Sequence, residues 1–372
     1  MKIVYVFHSL ALWGGIERIL TDKANWLAAR GHEVTLITTD QGRHPLTYPL
    51  GEGVSHVDLG VCFHHQYRYR GLRRLLDLWQ RHRLFRKEMK AQLRRLQPDV
   101  LLCTTTAFVG QLVRWKGRVP LVVESHTICQ RAVDGGPLRG LRRWWLFRQL
   151  RRADMLVALT EGDAAQWRRH LSHVAVIPNM VHVPDPLPTA MLTARRVIFV
   201  GRLEEQKQVD RLLSAWRLVW PTHRDWTLTV CGDGSQQGLV RQLSEQGTEG
   251  VELIAPTPRI FDCYAGASML VLTSAYEPFG LVMAEAMMCG VPVVAFDCPY
   301  GPRAIVSDGV SGVLVPPQDD EALAAALVRL MDDEALRRCM GAAAARSARR
   351  FVASQVMPQW ETLFVNLPKR QG

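Results

Sequence analysis

Short apolar runs, each bounded by polar or turn-forming residues, recur along the whole chain and alternate with stretches of helical spacing. Runs of this length that are rich in β-branched residues are typical of buried strands. Their alternation with helices predicts an α/β protein built on parallel sheets. The predicted strands are residues 2–7, 33–38, 99–103, 120–124, 154–159, 174–178, 196–200, 226–231, 251–254, 269–273 and 291–296.

One stretch, residues 268–301, combines this pattern with charged residues. A predicted strand leads into a loop that contains Glu277, and the next segment, 281–289, is rich in helix formers and is followed by Gly290. A second strand comes next, so a right-handed β–α–β unit is expected. Glu277 stands at the carboxyl end of its strand, where open α/β sheets bind ligands. Glu285 lies in the apolar helix, where a carboxylate is rarely placed for stability alone.

These two carboxylates flank a helix start, and that arrangement suits a nucleotide sugar. The amides of Phe279, Gly280 and Leu281 would be available to a phosphate group, because the first N–H groups of a helix have no partner within it. Glu277 and Glu285 would accept hydrogen bonds from sugar hydroxyls. The alternative is purely structural, with one acid that favours a helix start and one acid on a helix surface.

Two cations follow the predicted strand 196–200. Arg202 and Lys207 lie five residues apart in the loop after it. This pair suits an anionic ligand, since arginine offers a planar fork of donors and lysine a point charge. A solvated turn is the alternative.

In the first half of the chain, two features lie where strands are predicted to end. Gly14 and Gly15 precede a predicted helix over 16–30, and glycine permits close approach of the backbone to a phosphate. A simple tight turn is the alternative. His126 follows the strand 120–124, a position at which sites collect in such sheets, although a lone histidine is more often structural than catalytic.

Size, cysteine content and charge indicate the number of domains, the cellular compartment and the kinds of partner. A chain of 372 residues favours two domains over one core. Its eight cysteines form no CxxC pair, so neither a zinc site nor a redox motif is predicted, and scattered thiols favour a cytoplasmic protein. Residues 1–185 hold 28 Lys and Arg against 15 Asp and Glu, whereas the remainder holds 18 against 20. Nucleic acid and anionic lipid are the partners that such a basic half could attract.

Two basic segments, 66–97 and 138–152, are also rich in leucine and aromatic residues. A basic amphipathic helix that lies on an anionic membrane surface has this composition. Two ordinary surface helices with core-facing aromatic residues are the alternative. The apolar residues of the first segment that are predicted to share part of one helix face are Leu72, Leu75, Leu76, Trp79, Leu84 and Phe85.

Taken together, the motifs resemble one enzyme family. Glu277 and Glu285, with seven residues between them and AMMCGVPVV after them, resemble the EX7E signature of the retaining glycosyltransferases of family GT4, which have the GT-B fold. GGIER at 14–18 and the pair Arg202 and Lys207 match further parts of that family's pattern. The resemblance implies an α/β protein with two Rossmann-like parallel-sheet domains separated by a cleft. The expected parts are an N-terminal acceptor-side domain (1–183), a C-terminal nucleotide-sugar-binding domain (184–352) and a C-terminal helix that crosses back to the N-terminal domain (353–372).

The resemblance also implies a role for each site residue. Glu277 would contact the transferred sugar as a catalytic residue, and Glu285 would bind the ribose. His126 would reach the donor sugar from the N-terminal domain as a second catalytic residue. Gly14 and Arg18 would line the acceptor side of the cleft, and no metal ligand is implied. The groups expected to bind the donor phosphates are Arg202, Lys207, Gly15, Phe279, Gly280 and Leu281.

The implied activity is a metal-independent hexosyl transfer that retains configuration and needs no cofactor. The donor would be a nucleotide sugar, with UDP as the expected carrier and a hexose or N-acetylhexosamine as the transferred unit. With the basic segments, this predicts an enzyme bound peripherally to the inner face of the cytoplasmic membrane. It would extend a lipid-linked saccharide for capsule, O-antigen of lipopolysaccharide, or exopolysaccharide. The alternatives are a basic nucleic-acid-binding protein, although no such motif is present, and a GT-B sugar-nucleotide epimerase or phosphorylase.

Overall fold

The structure, a computed structural model, describes residues 1–12, 14–104, 106–132 and 138–368. It forms two compact units. One contains residues 1–159, 164–180 and the chain from Met357 onward, and the other contains residues 160–163 and 181–356. The last four residues of the predicted segment 353–372 lie outside the described residues.

The first unit is built on seven parallel strands. They are β1 (Lys2–Phe7), β2 (Glu33–Thr38), β3 (Val54–Asp58), β4 (Val100–Cys103), β5 (Leu121–Glu124), β6 (Met155–Ala158) and β7 (Val174–Val176). Their order in the sheet is β3-β2-β1-β4-β5-β6-β7, so the order reverses between β1 and β4. The helices in this part of the chain are α1 (Gly15–Ala29), α2 (Gly71–Leu96), α3 (Thr106–Trp115), α4 (Arg139–Leu150) and α5 (Glu161–Arg168).

The second unit repeats this plan with six parallel strands. They are β8 (Arg196–Val200), β9 (Thr227–Cys231), β10 (Val251–Ile254), β11 (Met269–Leu272), β12 (Val293–Phe296) and β13 (Gly312–Val315). Their order is β10-β9-β8-β11-β12-β13, and it reverses between β8 and β11. The helices are α6 (Val209–Val219), α7 (Gln237–Glu245), α8 (Ile260–Ala265), α9 (Leu281–Met288), α10 (Gly301–Ile305), α11 (Asp320–Asp332), α12 (Glu334–Ala348) and α13 (Ala353–Asn366), and the division between the units falls within α13.

These two sheets confirm the predicted pair of Rossmann-like parallel-sheet domains. The central strands are buried along their whole length, as expected when helices cover both faces of a parallel sheet. Large aromatic side chains fill the space between sheet and helices, with Trp167 buried in the first core and Trp216 in the second. Ligands of such sheets bind at the carboxyl ends of strands where the order reverses. Ligand sites are therefore expected at the loops after β1 and β4 in the first sheet and at the loops after β8 and β11 in the second.

Two strands were not predicted, and both lie at a sheet edge. β3 has the sequence VSHVD and is only partly buried, while β13 is four residues long and follows a glycine-containing turn. An edge strand is covered less completely than a central one, so it needs no continuous apolar run. β3 therefore lacks the continuous apolar run of the central strands, whereas β13, with the sequence GVLV, has a short one that was overlooked.

The alanine-rich region 319–349 forms two helices rather than one. Asp319 accepts a hydrogen bond from the backbone N–H of Ala322 at 2.9 Å and caps α11. Asp333 accepts one from Leu336 at 2.8 Å and caps α12. An aspartate that caps a new helix ends the previous one, because its own backbone is extended.

The long basic segment forms 26-residue α2, preceded by a short 3₁₀ turn. One residue of its predicted apolar face is wrongly assigned: Phe85 is fully buried, whereas Leu72 is largely exposed. Phe85 packs edge-on against Phe63 and Trp115 in the core. Among the described residues, no helix combines the length and apolar character needed to cross a bilayer.

Candidate active site

Two of the predicted ligand-binding loops of the second unit are joined by an ion pair. Lys207 follows β8, Glu277 follows β11, and the Lys207 ammonium contacts Oε1 of Glu277. The same carboxylate oxygen accepts a hydrogen bond from the Ser274 hydroxyl at 2.7 Å. Both charged side chains are largely shielded from water. This lies at the point where the strand order of the second sheet reverses, as expected for a ligand site.

Three further hydrogen bonds fasten these loops together. The Thr273 hydroxyl donates to the carbonyl of Lys207 at 2.8 Å, and the N–H of Ala275 donates to the carbonyl of Gln206 at 2.8 Å. The Gln206 side-chain amide donates to the carbonyl of Tyr276 at 2.8 Å. Lys207 and Glu277 are therefore held in place by backbone bonds on both sides, independently of their own attraction.

The backbone of Glu277 is also held by the loop after β12. Its N–H donates to the carbonyl of Pro299, and its carbonyl accepts from the N–H groups of Tyr300 and Gly301, each at 2.8 Å. A β-carbon at position 301 would lie 2.0 Å from the carbonyl oxygen of Phe279, so only glycine fits there. The position of the carboxylate is thus set by three loops of one sheet.

The start of α9 offers backbone N–H groups rather than side chains. Gly280 has φ +93°, a left-handed conformation that favours glycine, and it precedes the first helical residue, Leu281. The Phe279 side chain is buried and packs edge-on against Phe351, with ring centroids 5.2 Å apart. If these residues bind phosphate, they do so through the unpaired N–H groups of a helix start.

Glu285 lies one turn into α9 and is 4% exposed. Its Oε2 accepts a hydrogen bond from the Tyr264 hydroxyl at 2.9 Å. The surface-helix alternative for this acid is therefore wrong, because the carboxylate is buried and oriented by a tyrosine. Arg202, by contrast, is exposed. The hydrogen bonds from Ser235 lower the pKa of Glu204, and the charge of Arg202 makes a smaller contribution in the same direction.

In the first unit, the glycine loop occupies the end of β1. Gly14 precedes α1 and Gly15 is its first residue. A β-carbon on Gly14 would meet the Glu17 carboxylate, whereas one on Gly15 would meet no atom within 4 Å. Arg18 lies one turn later, with its Nε 3.8 Å from Asp22 Oδ2. Open space beside Gly15 is compatible with a ligand at this end of the strand.

His126 belongs to a buried charged cluster at the carboxyl end of β5. Its Nε2 lies 3.3 Å from Oε1 of Glu124. The Lys23 ammonium donates to both oxygens of Glu124, at 2.7 and 2.8 Å, and lies 3.5 Å from the centre of the Trp360 ring. The pair of Lys23 and Glu124 is almost completely buried, with side chains 2% and 1% exposed.

Burial and charge act in opposite directions on these groups. Burial raises the pKa of Glu124, but the charge and hydrogen bonds of Lys23, together with the nearby His126, outweigh it and lower that pKa to about 2. Burial lowers the pKa of Lys23, against the opposing effect of Glu124. Burial, with the nearby Glu124 charge, also raises the pKa of Tyr5 well above its usual value. The carboxylate of Glu124 is therefore ionised across the physiological pH range.

Sequence reasoning assigned no role to Lys23, Glu124, Ser274 or Tyr264. A signal existed for Lys23, since it falls among the apolar positions of α1, four residues after Ile19. A lysine on the core face of a helix needs an ionised partner. No comparable signal marks Ser274 or Tyr264, whose contacts appear only when distant segments fold together.

Within the described ranges, no group of three or more His, Cys, Asp or Glu side chains is positioned to hold a metal ion. Metal independence stays a prediction.

Comparisons with known proteins identify the family. A family model described as Glycosyltransferase Family 4 matches residues 13–183, and one described as Glycosyl transferases group 1 matches residues 194–333. An exopolysaccharide phosphotransferase of Streptomyces coelicolor is 35% identical over 294 residues, which are 76% of this chain but only 30% of that protein. A phosphatidyl-myo-inositol mannosyltransferase of Mycobacterium leprae is 32% identical over 283 residues, 70% of this chain and 72% of that one.

Solved structures agree on the fold. Anabaena HepE, crystallised with UDP and glucose, superposes with a TM-score of 0.78 and 21% identity, covering 99% of this chain and all of that one. This likeness supports the GT-B fold alone. The two family models and the Mycobacterium relative show the family: the chain belongs to the group 1, family 4 glycosyltransferases of the GT-B fold.

Proposed function

We propose that this glycosyltransferase moves a hexose or N-acetylhexosamine from a UDP-sugar to a lipid-linked saccharide during surface-polysaccharide synthesis, with retention of configuration and without a metal. The observation that carries the proposal is the contact between Lys207 and Glu277 at the reversal point of the second sheet. It sets a cation beside a carboxylate next to a helix start. A diphosphate and a sugar need those groups in that order.

Donor binding would break the contact between Lys207 and Glu277 and give each of the two side chains a new partner on the donor. The diphosphate competes with Glu277 for the Lys207 ammonium, and Arg202 and the N-terminal amides of α9 add further positive potential. Glu277, still held by Ser274 and its backbone bonds, then accepts hydrogen bonds from the sugar hydroxyls. Glu285, oriented by the hydrogen bond from the Tyr264 hydroxyl, accepts a hydrogen bond from a ribose hydroxyl. UDP is favoured as the carrier because HepE was crystallised with it.

The transfer step needs no covalent intermediate on the protein. The bond between the sugar's anomeric carbon and the diphosphate oxygen breaks, and the acceptor oxygen bonds to that carbon on the same face. The acceptor proton passes to the departing diphosphate, whose charge is stabilised by Arg202, Lys207 and the start of α9. His126 contacts the donor sugar, while the Gly14 and Gly15 loop and Arg18 bind on the acceptor side.

Surface polysaccharide is favoured as the product class by the name of the Streptomyces relative, an exopolysaccharide phosphotransferase. A lipid-linked acceptor fits an enzyme that works at the inner face of the cytoplasmic membrane. Leu72, Leu75, Leu76 and Trp79 support this location, because their spacing puts them on one face of α2 and they are 56–79% exposed. The guanidinium of Arg83 lies 4.6 Å from the Trp79 ring.

The second basic segment presents a similar surface. Leu138, Leu141, Trp144 and Trp145 are exposed on and beside α4, and Arg148 lies over the Trp144 ring at 5.5 Å. Basic side chains near an anionic surface contribute about 1 kcal/mol each, and tryptophan favours the interface. The two segments together would bind anionic vesicles more strongly than neutral ones.

A flotation assay tests the membrane part. Wild-type protein is expected to float with phosphatidylglycerol vesicles at low salt and to stay behind with phosphatidylcholine vesicles. Replacing Leu75 and Leu76 with serine should weaken vesicle binding by about 30-fold or more, since each buried leucine contributes at least about 1 kcal/mol. The matched control replaces Leu218 and Leu239, exposed leucines of the second unit, and should float like wild type. Equal flotation of both double variants would rule out α2 as the contact.

Glu285→Ala should chiefly weaken donor binding. Loss of one charge-assisted hydrogen bond to the ribose is expected to raise the donor KM by about 10- to 100-fold, with a smaller effect on kcat. Tyr264→Phe, which keeps the carboxylate but frees it from its hydrogen bond, should raise KM less. Initial rates over a range of donor concentrations separate the two constants. A fall in kcat with no change in KM would contradict the ribose assignment.

The activity itself is tested with a panel of UDP-, GDP- and ADP-sugars and polyprenyl-diphosphate-linked saccharides. Mass spectrometry should detect an acceptor that has gained one hexose or N-acetylhexosamine with a UDP-sugar and not in its absence. The NMR coupling constant of the new anomeric proton should match that of the donor, as retention requires. Epimerised or phosphorolysed donor without a glycosylated product would contradict the proposal.

A further inference from the structure

Two adjoining cavities open along one face of α4, in the first unit. Their volumes are about 490 and 270 Å³, and both are lined by Arg151 and His170. The lining residues on α4 and directly after it are Gly140, Arg143, Trp144, Phe147 and Arg151. The facing wall comes from residues 168–173, which lead from α5 into β7. The two cavities together form the α4 groove, which lies toward the amino end of β7, whereas the candidate active-site loops follow the carboxyl ends of strands.

The α4 groove is rich in cations and has no acid among its lining residues. The side chains that could carry positive charge there are Arg143, Arg151, Arg168, His170 and His173. The stretches 138–152 and 164–173 contain no Asp or Glu. In the part of the chain that the structure describes, Arg143 and Arg151 form no ion pair, and their polar contacts are to Nε2 of His170 at 3.3 Å and to the His170 carbonyl at 3.4 Å. Cations gathered on a concave surface without acids create a field that attracts an anion.

His170 orients this charge without neutralising it. A guanidinium has only donors, so its contact with Arg143 requires Nε2 of His170 as the acceptor in a neutral ring. Burial, followed by the charges of Arg143, Arg151 and Arg169, lowers the pKa of His170, which agrees with a neutral ring at pH 7. The ring is fixed by Phe147, since the two ring centroids lie 4.3 Å apart. Both arginines are thus held at the groove by one residue.

Exposed apolar side chains border the same groove. Trp144 lines it and is 55% exposed, and the neighbouring Leu141 and Trp145 are 60% and 41% exposed. Guanidinium groups bind phosphate oxygens through paired hydrogen bonds, whereas tryptophan favours the boundary between lipid headgroups and acyl chains. A phospholipid offers both a phosphate and an acyl chain, and a free anion offers only the first.

We propose that the α4 groove binds the phosphate group of an anionic phospholipid, with Arg143 and Arg151 on the phosphate oxygens and the acyl chains against Trp144 and Leu141. This rests on the membrane location given under the proposed function, and it names the lipid group and the residues that bind it. A bound headgroup would hold the first unit on the bilayer in one orientation, which general attraction between a basic surface and an anionic one does not do.

Soluble lipids test the site without a bilayer. Calorimetric titrations of the full-length protein use inorganic phosphate and, below their critical micelle concentrations, dihexanoyl phosphatidylglycerol and dihexanoyl phosphatidylcholine. Phosphatidylglycerol should bind at least about tenfold more tightly than inorganic phosphate, since burying two methylene groups has about that effect. It should also bind more tightly than phosphatidylcholine, whose own cation is repelled by the arginines. Equal affinity for phosphatidylglycerol and either of the other two would overturn the proposal, as would no binding of phosphatidylglycerol.

Two double variants separate the groove from general attraction. Arg143→Gln with Arg151→Gln should weaken phosphatidylglycerol binding by about 100-fold, since each charge-assisted hydrogen bond is worth at least about tenfold in affinity. The matched control is Arg142→Gln with Arg152→Gln, which removes two exposed charges of the same segment that do not line the groove. It should bind the lipid within about threefold of wild type, because salt screens exposed charges. Equal losses in the two double variants would overturn the site.

The His170 ring reports where the lipid binds. In full-length protein labelled with ¹⁵N-histidine, its signals are identified by their loss in His170→Gln. A phosphate in the groove would offset the positive charges that lower the pKa of His170, so bound phosphatidylglycerol should raise that pKa. An unchanged titration with lipid bound would place the lipid elsewhere and overturn the proposal. Absence of sugar transfer from every donor would contradict the proposed reaction alone, because these measurements use neither donor nor acceptor.

Discussion

Glu277→Gln is expected to produce the largest loss of activity, with kcat lower by about 100- to 1,000-fold and UDP bound at least as tightly as by wild type, because no carboxylate then competes for Lys207. The amide keeps the shape of the side chain and the acceptor for Ser274, but it removes the negative charge. A carboxylate that contacts the reacting sugar strengthens its hydrogen bonds as positive charge develops at the anomeric carbon. Its contribution is therefore largest in the transition state, and the loss appears in kcat.

Single-turnover rates with saturating donor, alongside calorimetric titration with UDP, measure the two effects separately. Glu249→Gln is the matched control, because Glu249 belongs to the same unit and pairs with Arg217 at 3.1 Å, away from the loops that hold Glu277. It should turn over like wild type. If Glu277→Gln retains full activity, the carboxylate does not contact the transferred sugar.

Lys207→Met should reduce both donor affinity and stability. It removes a cation from the diphosphate site and leaves the carboxylate of Glu277, 5% exposed, without its ionic partner. Breaking a buried pair in this way is expected to lower the free energy of unfolding by about 3 kcal/mol. UDP affinity should fall by about 10- to 100-fold, since a charge-assisted hydrogen bond to a phosphate is worth about 1.5–3 kcal/mol.

Adding Glu277→Gln to Lys207→Met distinguishes the two roles. The double variant has no unpaired charge, so most of the lost stability should return in urea unfolding, with a coupling energy of about 1–3 kcal/mol. UDP affinity should stay low, because the cation is still missing. Recovery of UDP affinity together with stability would mean that Lys207 serves only to balance Glu277.

The central architecture was predictable from the sequence because central strands of parallel sheets are buried on both faces. The runs at 196–200 and 269–273 identify β8 and β11 almost to the residue. The edge strand β3 lacks that pattern, since its environment does not require it, whereas the short apolar run of β13 was overlooked. The break between α11 and α12 at Asp333 was hidden by the high helix propensity of the residues around it.

For the site, sequence reasoning reached the charged residues that stand at strand ends but not the groups that orient them. The Lys207 and Glu277 contact follows from the positions of β8 and β11 side by side, which the sequence pattern alone does not specify. The Tyr264 hydroxyl reaches Glu285 from a different helix, and Lys23 reaches Glu124 over a separation of 101 residues. Such contacts depend on tertiary packing, and no local pattern encodes them.

The most direct measurement is a crystal structure of the protein with an intact UDP-sugar. We expect diphosphate oxygens within hydrogen-bond distance of Lys207 and of the first N–H groups of α9, and sugar hydroxyls hydrogen-bonded to the carboxylate of Glu277. A complex in which the diphosphate binds elsewhere, and in which Lys207 and Glu277 keep their contact with each other, would contradict it.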